Sequence, residues 1–191
     1  MGGRATGFQQ GELDYLCGVY AVINSSRAAA GHYRHLSSTD CRELFAALLL
    51  ELEQTNNLAT ATAYGMGGRQ ISRLLKAADR WLLDWYGIHL SFKKPFHTRR
   101  TVETAAFLGT CRHHLEGLGS STILRLSGRS EHWTVLSGMT DRRLLLIDSN
   151  RRKYLPIGNV TIGPGREQPG TIIVPSGFYL ITASTDPSAD Q

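Results

Sequence analysis

The apolar residues of this 191-residue chain change their spacing once, near Gly119, and that change limits the fold more than any other feature. Before it they recur every three or four positions, the repeat of a helix with one buried face. A first helix is expected from about Cys17 to Ala30, carrying Val19, Val22 and Ile23, with Gly31 as its stop. A second should begin at Asp40, paired with Glu43 as a capping box, and end near Gln54, with Leu44, Phe45, Leu48 and Leu52 as its stripe. The polar stretch from Thr55 to Gly68 reads as a loop. A third helix follows with Ile71, Leu74, Leu75, Ala78, Leu82 and Trp85, closed by Gly87, and Thr101 to Leu118 returns to helical spacing after a short β-like run from Ile88 to Phe92.

Beyond Gly119 the pattern breaks into short runs between turn residues: 121–126, 132–138, 143–148, 153–157 and 177–182. Such runs predict an antiparallel sheet. Helices first and strands afterwards give an α+β class, with a helical part over about 8–118 packed on a sheet part over about 119–182 and a frayed tail over 183–191. The length suits one domain spanning 1–191 better than two small ones.

Composition narrows the class further. Hydrophobic residues make up 41% of the chain, enough for a core, yet no run approaches the roughly 18 apolar residues of a membrane span. The segment from Met1 to Phe8 has no apolar stretch of signal-peptide length, so a cytoplasmic protein is expected, with any export by another route. Three cysteines, Cys17, Cys41 and Cys111, are odd in number and irregular in spacing, which argues for reduced thiols. The net charge of +5 arises from clusters at Lys93-Lys94, Arg99-Arg100, Arg142-Arg143 and Arg151-Arg152-Lys153. These can attract an acidic partner; without a nucleic-acid-binding motif, nucleic acid is not expected.

The chemistry concentrates at four residues. Cys17 stands where a turn-prone segment becomes helical, so its sulfur should lie at a helix N-terminus, where free N–H groups and the macrodipole favour a thiolate. His132 opens one strand and Asp148 closes the next. A hairpin centred on Thr140 makes them direct cross-strand partners, so that the carboxylate holds one imidazole nitrogen and leaves the other for Cys17. This register requires an odd loop such as Met139-Thr140-Asp141, or a bulge; a two-residue turn alone would put the side chains on opposite faces. Asn150 is the rival orienting group. A thiol needs an imidazole to take its proton, and an acyl intermediate needs donors, for which the Cys17 N–H and the Gln10 side chain are available, with Gln9 as the alternative.

Gln10, Cys17-Gly18, His132-Trp133 and Asp148-Ser149, in that order, resemble the papain-like cysteine peptidases, and most of all the bacteriocin-processing double-glycine peptidases. The resemblance covers about residues 8–150. It implies a papain-like fold with Cys17 as nucleophile, His132 as general base and acid, Asp148 as orienter and Gln10 as oxyanion donor, acting on a peptide or protein substrate without a cofactor or metal. Relatives on this fold include peptidases, deamidases, acyltransferases and bacterial effector toxins. Amide transfer, deamidation and a non-catalytic binding module therefore stand beside peptide or isopeptide hydrolysis.

Other residues carry less. Cys111, His113 and His114 could ligate a metal, but adjacent side chains on a helix diverge by about 100°, which disfavours coordination from one face. Trp81, Leu82 and Trp85 read as core, and Asn24 as a helix-surface or packing group. His32, His35, His89 and His97 have no partner in the sequence pattern.

Overall fold

A computed structural model describes residues 7–10, 15–128, 131–164 and 170–186. The leader reading of residues 1–6, the 11–14 spacer before Cys17 and the tail over 187–191 lie outside the described residues. The class is α+β, with five helices and seven strands among the described residues. The helices are α1 (Cys17–Ala30), α2 (Ser38–Gln54), α3 (Leu58–Tyr64), α4 (Gly68–Tyr86) and α5 (Thr104–Leu115). The strands are β1 (His89–Lys93), β2 (Ser120–Gly128), β3 (His132–Met139), β4 (Arg143–Ile147), β5 (Tyr154–Pro156), β6 (Val160–Ile162) and β7 (Thr171–Ser184).

One sheet holds all seven strands in the order β1-β7-β2-β3-β4-β5, with β6 beside β7. Alternating residues send their side chains to two separate cores. Ile123, Trp133, Val135, Tyr179 and Ile181 join the buried stripes of α1, α2 and α4, including Val19, Leu44, Leu48, Ile71 and Leu74. Leu124, Leu136, Leu146 and Phe178 face the other way, onto Phe107 and Cys111 of α5 and onto Phe96 and Val102. The expected division into a helical part and a sheet part therefore changes in two respects. β1 belongs to the sheet, and α5 lies on the face opposite the other helices.

Several local expectations also change. The capping box of α2 is made by Ser37 and Asp40, whose side chains each accept the other's backbone N–H, so the helix starts before Asp40 and Glu43 plays no part in the cap. The 55–68 loop contains α3, a helix of seven residues built mainly of Ala and Thr, whose short side chains leave little periodicity to detect. Trp81 and Leu82 are buried, but Trp85, one residue before the end of α4, is 63% exposed and lies outside the core. β6 runs parallel to β7, an exception to the antiparallel expectation, and β7 extends from Thr171 into the predicted tail at Ser184. No helix among the described residues is long and apolar enough to cross a membrane.

Candidate active site

Cys17 is the first residue of α1, and Leu16 at the N-cap offers no capping side chain to the amides of the first turn. Gly18 allows α1 to approach the α3–α4 connection. A Cβ there would sit 2.6 Å from Ile71 Cδ1 and 2.7 Å from Met66 Cε, both closer than packed atoms tolerate. The start of α1 is thereby pressed against the core, and Cys17 is only 7% exposed.

His132 comes from the opposite layer as the first residue of β3. The next residue, Trp133, is buried, and its indole Nε1 donates to the Met66 carbonyl at 2.9 Å. That bond ties the start of β3 to the segment that contacts Gly18. The imidazole is hydrogen-bonded to two side chains: Nε2 donates to Asp148 Oδ1 at 2.5 Å, and a side-chain hydrogen bond connects the ring to Cys17. With Nε2 occupied, Nδ1 is the nitrogen left for the sulfur.

The register behind this contact differs from the simple hairpin. Thr140 N–H donates to Arg143 O at 2.9 Å, so the turn has two residues at its tip, Asp141 and Arg142, and is not centred on Thr140. Such a turn alone would separate His132 and Asp148 onto opposite faces. A bulge between Leu136 and Gly138 absorbs one residue and restores the parity, giving Val135 opposite Ile147. One step further along, Asp148 comes opposite Thr134. His132 therefore reaches Asp148 diagonally rather than directly, on the shared face that the sequence analysis required. Asn150 is exposed and is not the imidazole's partner.

The electrostatics follow from this burial and pairing. Burial by itself would lower the His132 pKa, but the hydrogen bonds to Asp148 and Cys17, with the charge interactions behind them, raise it from 6.5 to about 9. Burial would conversely raise the Asp148 pKa. The His132 bond and charge, the neighbouring Thr134 hydroxyl and the Arg152 N–H, which donates to Oδ2 at 3.2 Å, instead hold it below its ordinary value. The pair is an imidazolium facing a carboxylate over the neutral range.

The strap over 7–10 is stitched to both layers. Phe8 is hydrogen-bonded to Asn24 of α1, Gln10 N–H donates to Ser149 O at 3.1 Å, and Arg151 Nε donates to Gln9 Oε1 at 2.9 Å. Gln10 thus lies beside the residue that follows Asp148, while exposed Gln9 is engaged by Arg151. The structure brings Cys17, His132 and Asp148 into contact and places the Gln10 backbone at the same end of β4. Sequence reasoning missed Asn24 as a tether and Met66 as the Trp133 acceptor; an Asn seven positions after Cys17, two turns along the same helix face, was the available signal.

The remaining candidates lie elsewhere. Cys111 is fully buried in the α5 core, its thiol pushed up to about 12 by burial, and burial also raises that of Cys41. His114 Nε2 sits 3.1 Å from Ser121 O and 3.0 Å from Ile181 O, clamping α5 to the sheet. The described residues hold no group of three or more His, Cys, Asp or Glu suited to a metal ion. Comparison with protein-family models, curated proteins and solved structures finds no match, so the functional reading rests on this geometry.

Proposed function

We propose that this protein is a papain-like thiol hydrolase that cleaves a peptide or isopeptide bond through Cys17, His132 and Asp148. The observation that carries the reading is the doubly bonded imidazole, with Asp148 on Nε2 and Cys17 hydrogen-bonded to the same ring. The proton shared by Cys17 and His132 rests on the imidazole, and the sulfur attacks the substrate carbonyl carbon. As the C–S bond forms, the carbonyl π pair moves to oxygen, which the Cys17 N–H and the Gln10 carboxamide stabilise. Collapse breaks the C–N bond, and the imidazolium gives its proton to the leaving amine. Water then attacks the thioester with His132 as base, releasing a carboxylic acid and restoring the thiol.

Asp148 contributes by fixing the ring and stabilising its protonated form, which is the proton donor in the collapse step. A thiol-reactive amide probe, followed by intact-mass measurement, tests the reading. One adduct is expected in the wild type and none in Cys17→Ala. Equal labelling of the two proteins, or an adduct mapping to Cys41 or Cys111, would reject it.

A further inference from the structure

Asn24 is a polar residue in the middle of α1, seven positions after Cys17, and only 2% exposed. A buried carboxamide must find partners or it destabilises the fold. Its partners come from the strap. Oδ1 accepts from Phe8 N–H at 2.9 Å, and Nδ2 donates to Phe8 O at 3.3 Å, so the amide satisfies the backbone of one residue on both sides. Gly7 brings the strap this close, since a Cβ at that position would lie 2.5 Å from Ile147 Cγ2 and 3.1 Å from Asn24 Nδ2. Two residues later the Gln10 N–H donates to Ser149 O. The strap is thus fixed at Phe8 to the helix that carries Cys17 and at Gln10 to the strand end that carries Asp148.

We infer that Asn24 is the positioning residue of the oxyanion site: it holds the strap in the register that presents Gln10 to the carbonyl under attack at Cys17. The inference rests on the thiol-hydrolase reading. It assigns to a buried amide on α1, about 10 Å from the start of the helix by its rise, a task in the acyl-transfer step that it performs without touching substrate. An oxyanion donor displaced by even about 1 Å loses much of its effect, so loosening Phe8 should slow acyl transfer up to about 100-fold. Simple alkylation of the thiol passes through no tetrahedral oxyanion and should not change.

Two probes separate these steps. p-Nitrophenyl acetate transfers its acetyl group to the Cys17 sulfur and expels p-nitrophenolate, while iodoacetamide alkylates the same sulfur by displacing iodide. In Asn24→Ala, and independently in Gly7→Ala, which leaves α1 intact, Cys17 acetylation should fall about 10- to 100-fold with the iodoacetamide rate within about twofold of wild type. Asn24→Asp keeps the acceptor for Phe8 N–H and should fall in between. In a Gln10→Ala background, Asn24→Ala should add less than about twofold, as expected of two residues acting through one donor. Undiminished acetylation in folded Asn24→Ala and Gly7→Ala overturns the assignment, as does a parallel loss of both reactions. A wild type whose acetylation does not depend on Cys17 fails at the earlier step, removing the hydrolase reading and the positioning role with it.

Discussion

The sharpest test of the His132–Asp148 pair is its effect on stability as a function of pH. The imidazole pKa rises from 6.5 to about 9 in the folded state, and a proton bound more tightly when folded stabilises the fold. Because the folded value is raised, that stability is fully present below about pH 6.5 and disappears as pH climbs through about 9. A rise of this size corresponds to roughly 3 kcal/mol. The His132 side chain is 12% exposed and that of Asp148 1%, so solvent screening removes little of it. The lowered Asp148 pKa describes the same contact from its other partner and is not added. Asp148→Asn preserves shape and an acceptor for Nε2 while removing the charge. Urea denaturation at pH 6 should show wild type more stable than Asp148→Asn by up to roughly 3 kcal/mol, the share of the rise owed to Cys17 persisting in both proteins, a midpoint difference of up to about 1.5 M for an m-value near 2 kcal/mol/M. At pH 9.5 the difference should shrink to about 1 kcal/mol or less, because the imidazole is then neutral in both proteins. Groups that titrate elsewhere cancel in the comparison. A gap that stays constant from pH 6 to 9.5, or an NMR titration placing wild-type His132 at 6.5, would refute the pairing.

Further outcomes follow from the same geometry. Cys17→Ala should abolish turnover and cost less in urea denaturation than Asp148→Asn, since Ala is a good helix former at the first position of α1 and only the sulfur's share of the His132 pairing is lost. Gln10→Ala should lower kcat about 10²- to 10³-fold with little change in KM; an effect confined to KM would make it a substrate contact. Asp148→Asn should impair kcat while Asn150→Ala leaves it within about twofold, and the wild-type rate should fall on the alkaline side near pH 9 as His132 loses its proton. Phe107, fully buried between Phe96 and Phe178, should cost about 3–5 kcal/mol in urea denaturation when replaced by Ala.

The long, periodic elements were legible in the sequence because one physical rule dominates each. α1 and the end of α2 fall on the expected residues, and α4 lies within one or two of them, since burial of one helix face repeats every three or four positions. What escaped has equally physical causes. α3 is too short, and its Ala and Thr side chains too small, to show a repeat. β6 has three residues and is defined by its parallel partner rather than by its own pattern. The position of α5 on the far face of the sheet depends on which of two apolar sheet faces it covers, and its own stripe, Phe107 and Cys111, would suit either.

The site shows a finer version of the same limit. That His132 and Asp148 share a face follows from parity, and parity depends on every residue between them. The two-residue turn at Asp141-Arg142 and the bulge at Ser137 each reverse it, and the two reversals cancel. Residue types announce the chemistry, because a thiol needs a base and a base needs an orienting acceptor, but they do not announce a bulge, whose residue is an ordinary serine on an exposed strand end. Asn24 is hidden for a different reason. Its partners are the backbone atoms of Phe8, and backbone atoms carry no sequence signature. Such tethers are found only by asking where a buried amide in the middle of an apolar helix spends its hydrogen bonds. Here they lead to the strap that carries Gln10.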